Sequence, residues 1–374
     1  MFVKPQALQS RHIRRAQYVS CDDAFIDVRL PGSSPKENYS IIGPGVTQNA
    51  SQVINLREPH GFNIGAAGLQ PGITNNLHLH FTAEVFIVSQ GRITLRWGER
   101  GEQGEAVLEE GDVICLPPWI FRGFSNAGSG YAFVMTVLGG DDTGGIIWSP
   151  EVLRQARATG LVLSRDNQLI ELQPDAPAPD EATLLQPMPA ADVAALRRWS
   201  AAELLARAVR RGERAYRTAP LDAMLPGQGW QIAPFIGWGL TQHLAHRPVV
   251  AEPQGFTAEW ICVPAGACSA PFVLDEAAAL VHERGPLAVR FNGDGAVAAA
   301  LGAGDTLSLP GGCTRQWLNT GTEPAHALLV VCGEHRKHPR FAPEVASAAA
   351  ALDWALDAGA HLAKRSLLPP GMLG

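Results

Sequence analysis

Short apolar runs separated by glycine, proline and polar turns dominate the pattern along this chain. Phe86-Ile87-Val88 and Ile93-Thr94-Leu95-Arg96-Trp97 flank Gln90-Gly91, which predicts a hairpin. Val113 to Leu116 and Ala132 to Val137 predict two further strands that bracket the segment from Pro117 to Gly130. Many short strands at this spacing point to a closed barrel or a sandwich. Helical patterns lie outside these runs. Ser149-Pro150 opens one that Gly160 ends, and Ser200 with Glu203 makes a capping-box pattern for a helix over 201–211. The Ala-rich stretch 345–364 predicts another, with Asp353 and Asp357 arguing against a membrane span. Residues 173–181, rich in proline, read as an extended linker.

The pattern occurs twice. A shift of 194 positions aligns Ile42-Gly43-Pro44-Gly45-Val46-Thr47-Gln48 with Ile236-Gly237-Trp238-Gly239-Leu240-Thr241-Gln242, and Glu58-Pro59-His60-Gly61-Phe62 with Glu252-Pro253-Gln254-Gly255-Phe256. Gly72, Gly91 and Gly139 meet Gly266, Gly285 and Gly333. After the loss of one residue, Gly111, Pro117, Arg122 and Asn126 meet Gly304, Pro310, Arg315 and Asn319. Two copies are too few for a solenoid, so they are two domains of one fold. The expected organisation is a first barrel over 1–160, a linker with helices over 161–220, and a second barrel with a C-terminal helix over 221–374.

Composition narrows the function classes. A formal net charge of −6 leaves no basic footprint for nucleic acid or an anionic membrane. No apolar run approaches the ~20 residues that span a bilayer. The basic N-terminus lacks the apolar stretch of a secretory signal, and the six cysteines form no C-x-x-C pair. A cytoplasmic protein with cysteines as small buried hydrophobes is the expectation.

Candidate chemistry sits in the first copy. Gly72-ITNNL-His78-Leu79-His80-FTA-Glu84-VFIVSQ-Gly91 resembles the first cupin motif, G-x5-H-x-H-x3,4-E-x6-G, at every defined position. Gly111-DVICL-Pro117-Pro118-Trp119-IF-Arg122-GFS-Asn126 is similar to the second motif, with Trp119 in place of a glycine and Arg122 in place of a histidine. The resemblance implies an all-β fold of two cupin barrels, each a double-stranded β-helix or jelly roll, with peripheral helices. The residues themselves support a site. On a strand, His78 and His80 share a face, and Glu84 reaches the same point across a short turn. Two imidazoles and a carboxylate suit a divalent ion, Fe(II) first, with Mn, Ni, Zn and Cu open.

Cupin metal sites of this kind take a histidine where Arg122 stands, and a guanidinium cannot ligate a metal. Two readings of Arg122 stay open: it holds a substrate oxygen beside the metal, or it pairs with Glu84. His60 is the one nearby candidate for a fourth ligand. Phe86, Trp119 and Phe124 are candidate substrate contacts, with plain core packing as the alternative. In the second copy the corresponding positions are Phe272, Leu274, Ala278 and Arg315, so no ligand survives; His282, His335 and His338 are expected at the surface.

Bicupins resembling this chain include quercetin dioxygenases. The implied function is a metal-dependent, non-haem iron dioxygenase acting on a small enolisable or phenolic substrate, with Glu84 and Arg122 in catalytic roles. The alternatives are a cupin isomerase or decarboxylase, and a non-catalytic small-molecule-binding bicupin. A homodimer is compatible with either.

Overall fold

The computed structural model describes residues 1–373 apart from 174, 176, 178, 219, 294 and 295. The sequence-predicted linker over 173–181 therefore falls partly outside the described residues. The chain divides into two compact units, Tyr18–Gly212 and Met1–Gln17 with Glu213–Gly374. This grouping differs from the expected boundaries at both ends. Met1–Gln17 belongs with the second barrel, because His12–Ile13 adds an antiparallel edge to Thr306–Leu309. Likewise Ala208–Val209 adds an edge to Val113–Leu116 of the first barrel. Each edge is fixed by one buried aspartate. Asp112 accepts from the Arg211 backbone at 3.1 Å, and Asp305 accepts from the Arg15 backbone at 3.0 Å.

The first unit is a barrel of two facing sheets. One runs, in spatial order, Ala208–Val209, Val113–Leu116, Glu84–Gln90, Ala132–Gly139, Phe62–Leu69, Lys36–Ile42 and Ile54–Leu56. The other runs Ile147–Trp148, Thr74–Leu79, Arg122–Asn126, Arg92–Trp97 and Gly104–Glu109. The runs read from the sequence at 86–88, 93–97, 113–116 and 132–137 all lie in these strands. Their inward residues, among them Phe86, Val88, Leu95, Trp97, Ile114, Phe124 and Val134, form one buried cluster. A second cluster joins Phe25, Trp148 and Leu153 outside the barrel, under the helix Pro150–Ala158. That helix starts as its sequence requires, with Ser149 accepting from the Val152 backbone.

The second unit repeats the order, with one strand fewer in its first sheet. Its first sheet runs His12–Ile13, Thr306–Leu309, Ala278–Arg284, Ala325–Cys332, Phe256–Val263, Gln231–Ile236; its other runs Val297–Leu301, Leu287–Phe291, Thr314–Leu318, Phe272–Val273, Arg340–Phe341. The parallel pairing Ile42↔Leu56 reappears as the bridge Ile236↔Val250, both at the 194-residue offset. Asn126 and Asn319 do the same work in both copies. Asn126 donates to the carbonyls of Leu69 (2.9 Å) and Gly130 (2.7 Å), and Asn319 to those of Val263 (2.8 Å) and Glu323 (2.7 Å). Each also accepts from a glycine backbone two residues on, at 2.9 Å.

Two helical expectations are cut short. The capping box of Ser200 and Glu203 forms, but its helix covers only Ala201–Leu205, since Ala208 and Val209 gain more by pairing with a sheet edge. The C-terminal helix covers Pro343–Ala351. Asp353 then adopts φ +62° and accepts from the Ser366 backbone at 2.8 Å, and Trp354–Leu356 and Leu362–Lys364 form a hairpin instead. No helix among the described residues is long and apolar enough to cross a membrane. The six cysteines are free, with Cys115, Cys262 and Cys313 buried and Cys21, Cys268 and Cys332 partly exposed.

Candidate metal centre

His78 lies near the end of the strand Thr74–Leu79, His80 just beyond it, and Glu84 opens the neighbouring strand Glu84–Gln90. Arg122 opens the strand Arg122–Asn126 and pairs in register with His78. A register shift follows at Gly123, where a Cβ would sit 2.7 Å from the carbonyl of Asn75. Only glycine allows so close a strand approach there.

Ligand atoms of His78, His80 and Glu84 all lie within 4.8 Å of one another, and these three form the only such cluster among the described residues. All three are buried. Each imidazole has its Nδ1 occupied by a backbone carbonyl: His78 with Asn76 at 2.7 Å, His80 with Gly145 at 3.2 Å. A carbonyl can only accept, so Nδ1 carries the proton and Nε2 presents its lone pair. The Nε2 of His80 is buried without a hydrogen-bond partner, 3.5 Å from Oε2 of Glu84. Burial first, then the positive charge of Arg122, holds both imidazoles well below their ordinary pKa. They are therefore neutral, the form that ligates metal. The donor set fits a divalent ion.

The backbone that presents His78 is itself fixed by a buried ion pair. Lys36 donates to both oxygens of Asp27 and to Oδ1 of Asn75, each at 2.7 Å. Asp27 also accepts from the backbone and side chain of Asn76, both at 3.1 Å. The residue whose carbonyl orients His78 is thus held from behind, as outer partners of metal-ligating histidines commonly are. Nothing in the cupin motif points to Asp27 and Lys36; lysine beginning an otherwise buried strand was the available signal.

Arg122 is fully buried and turned toward Glu84. It donates from Nε and Nη2 to Oε2 at 3.2 and 3.1 Å, and from Nη1 to the carbonyl of Ile120 at 3.2 Å. Burial pushes the Glu84 carboxyl above its ordinary pKa, and Arg122 pulls it back. Both bonds fall on Oε2, the same oxygen that lies 3.5 Å from Nε2 of His80.

A cavity adjoins the three ligand residues, with about 50 Å³ open to the centres of water-sized molecules. Phe25, Tyr39, Phe124, Leu138 and Ile146 supply apolar wall, and Ser40, Asn75 and Thr136 supply polar atoms. Of the expected substrate contacts only Phe124 lines it. Phe86 packs edge-on against Phe124 in the barrel core, at 4.9 Å between centroids. Arg122 sits behind Glu84, outside the lining. Trp119 has φ +59° and is 44% exposed; its ring meets Phe81 and borders separate surface hollows with Met188 and Leu196. The glycine of the family motif at this position signals a left-handed backbone, and a tryptophan adopting it points outward. His60 is held by the carbonyl of Glu58 at 2.6 Å and does not line the cavity.

In the second barrel Phe272, Leu274 and Ala278 belong to a buried apolar cluster, with Trp317 edge-on to Phe272 at 5.3 Å. His335 and His338 are exposed as expected, but His282 is buried, because its position on the strand Ala278–Arg284 faces inward with Ala278 and Leu280.

Residues 66–138 match the family model of the cupin domain. A search of curated proteins finds no match. Among solved structures, the chain is similar to an oxalate decarboxylase from Bacillus subtilis at 14% identity, with 88% of this chain and 78% of that one covered and a TM-score of 0.53. It is also similar to the vicilin of tomato, Solanum lycopersicum (12% identity, 89% and 87% covered, TM-score 0.54), and to the 7S globulin of Momordica charantia (12%, 89% and 86%, 0.51). The fold is that of a two-barrel cupin, and its first barrel carries the cupin domain. The one cluster with metal-binding geometry among the described residues lies in that first barrel, and the strands of two of its three residues, Thr74–Leu79 and Glu84–Gln90, fall within the matched segment.

Proposed function

We propose that the first barrel binds one divalent metal ion through Nε2 of His78, Nε2 of His80 and a carboxylate oxygen of Glu84, and that it works as a non-haem iron dioxygenase on a small enolisable substrate. The observation that carries this reading is the buried Nε2 of His80, left without a partner while its Nδ1 is fixed by Gly145. A bound ion supplies Lewis acidity and open positions for substrate and oxygen on the ligand set of two histidines and a carboxylate. The chain's own contribution is orientation and exclusion. The carbonyls of Asn76 and Gly145 fix the imidazoles, Arg122 aims Glu84 and opposes the upward push of burial on its carboxyl, and the wall is largely apolar. The cavity has room for a few water-sized molecules, which suits a substrate of few non-hydrogen atoms rather than a multi-ring phenol.

A second reading is favoured by the same cavity size: decarboxylation of a small acid without oxygen uptake, as the name of the Bacillus subtilis relative suggests for that protein. Mn(II) centres are described for that relative, so manganese stands beside iron as the candidate ion. Against this reading, Glu84 is the only carboxylic acid lining the cavity among the described residues, and it is both a ligand and tied to Arg122. A second carboxylic acid, which a decarboxylation could use as proton donor, is lacking among the described lining residues.

Elemental analysis of gently purified protein, followed by an oxygen electrode with small 1,3-dicarbonyls, tests both. One metal per chain and stoichiometric oxygen uptake are expected. Product formed without oxygen uptake would transfer the assignment to the second reading, and protein free of metal would leave a non-catalytic binding bicupin.

A further inference from the structure

Arg315 occupies in the second barrel the place of Arg122 in the first, and it is equally buried. Its surroundings differ in one respect that matters for charge. Where the first copy has Glu84 to pair with Arg122, the second has Ala278 at the equivalent position. Its Nη2 donates to the carbonyl of Pro310 at 2.8 Å and lies 3.7 Å from Sγ of Cys313, while Nε and Nη1 have no hydrogen-bond partner. The indole Nε1 of Trp317, two residues on and on the same inward face of the strand, is also buried without an acceptor. The charge of Glu276 reaches Arg315, but its hydrogen bond goes to His335 at 2.6 Å, and Glu259 bonds to the backbone of Leu240 at 3.0 Å.

A guanidinium stays charged in a protein, and a buried charge with no carboxylate hydrogen-bonded to it is unfavourable. Orphaned donors gathered on one inward face call for an acceptor that carries negative charge. The atoms that Ala278 lacks relative to Glu84 are one methylene and one carboxylate, the composition of acetate.

We propose that the second barrel holds one small carboxylate anion of the acetate class against Arg315, in the space where the first barrel has the side chain of Glu84. The site is an anion site and takes no metal. It is independent of the reading of the first barrel.

The test is thermal unfolding of metal-free protein titrated with sodium acetate, against sodium chloride at constant ionic strength. Acetate raises Tm by roughly 3–6 °C for each tenfold increase above its Kd, while chloride does not. Ala278→Glu supplies the carboxylate from within, so it raises Tm in the absence of acetate and removes the response. Arg315→Met, a replacement that leaves no buried charge, folds and is equally unresponsive. No acetate response in the wild type, an equal response to chloride, or a response that persists in Arg315→Met would each overturn the proposal. Should Ala278→Glu not fold, the Arg315→Met comparison decides alone.

Discussion

Arg122 gives both of its free edge donors to a single oxygen of Glu84, at 3.2 and 3.1 Å, in a pair sealed from solvent. The arginine that stands in place of a family histidine thus acts on the site through Glu84, from outside the cavity.

Arg122→Met should therefore leave the affinity for substrate almost unchanged and act on stability. Removing one partner of a buried ion pair costs about 3–5 kcal/mol, because the other charge is left uncompensated. A bound ion supplies Glu84 with a second positive partner, so the fall in Tm should be larger in metal-free than in metal-loaded protein. Calorimetry of both forms checks this; an equal fall in both, with ligand affinity lost, would restore Arg122 to a direct substrate contact.

His78→Ala and His80→Ala should each reduce bound metal to background, measured by elemental analysis after dialysis. Two remaining ligands give neither the charge nor the geometry that a divalent ion requires. Asn75→Ala should be milder. It removes an acceptor of Lys36 at 2.7 Å, beside the residue whose carbonyl orients His78, and weakens metal affinity by about 10–100-fold if that support matters as outer partners usually do.

The sequence carried the fold because its signals were local or repeated. The glycines at turns and the serine caps at 149 and 200 act within a few residues of themselves, while the asparagines at 126 and 319 were marked by recurring in both copies and reach as far as Leu69 and Val263. What the sequence left open, the pairing of Arg122 with Glu84 and the core packing of Phe86 included, was set by the third dimension. Arg122, Phe86 and Trp119 all stand within or beside the motifs, yet only strand register and the backbone turn at 119 decide that they face Glu84, the core and the surface. Met1–Gln17 and Ala208–Val209 carry no mark of the sheet edge they join. The buried His282 followed from alternation along its strand with Ala278 and Leu280, a signal present in the sequence and read past.

The shared role of Asn126 and Asn319 gives a matched pair of stability predictions. Each alanine variant loses two side-chain donations to carbonyls and one acceptance from a glycine backbone. At about 1 kcal/mol for each bond, Asn126→Ala and Asn319→Ala should each destabilise by roughly 2–3 kcal/mol in denaturant titrations. A neutral effect in one copy would mean that the loop there is held by other contacts.

The last prediction follows from an inward-facing acid in the second barrel. Glu259 stands at the repeat position of Gly65, which lines the cavity of the first barrel. Its carboxyl is fully buried, accepts from the Leu240 backbone at 3.0 Å to each oxygen, and is pushed up to about 8, mainly by burial, with the opposing charge of Lys337 as a weaker influence. The folded chain therefore keeps a proton on Glu259 that the unfolded chain loses from about pH 4.5 upward. The stability this contributes is fully present below about pH 4.5 and is lost as the pH rises through about 8, at up to roughly 1.4 kcal/mol per pH unit. Glu259→Gln keeps an acceptor for Leu240 and cannot ionise. Its stability relative to the wild type should thus climb steadily between pH 5 and 8 in parallel denaturant titrations. A difference that stays flat over that range would mean that Glu259 is ionised in the folded barrel, with Lys337 close enough to hold its charge.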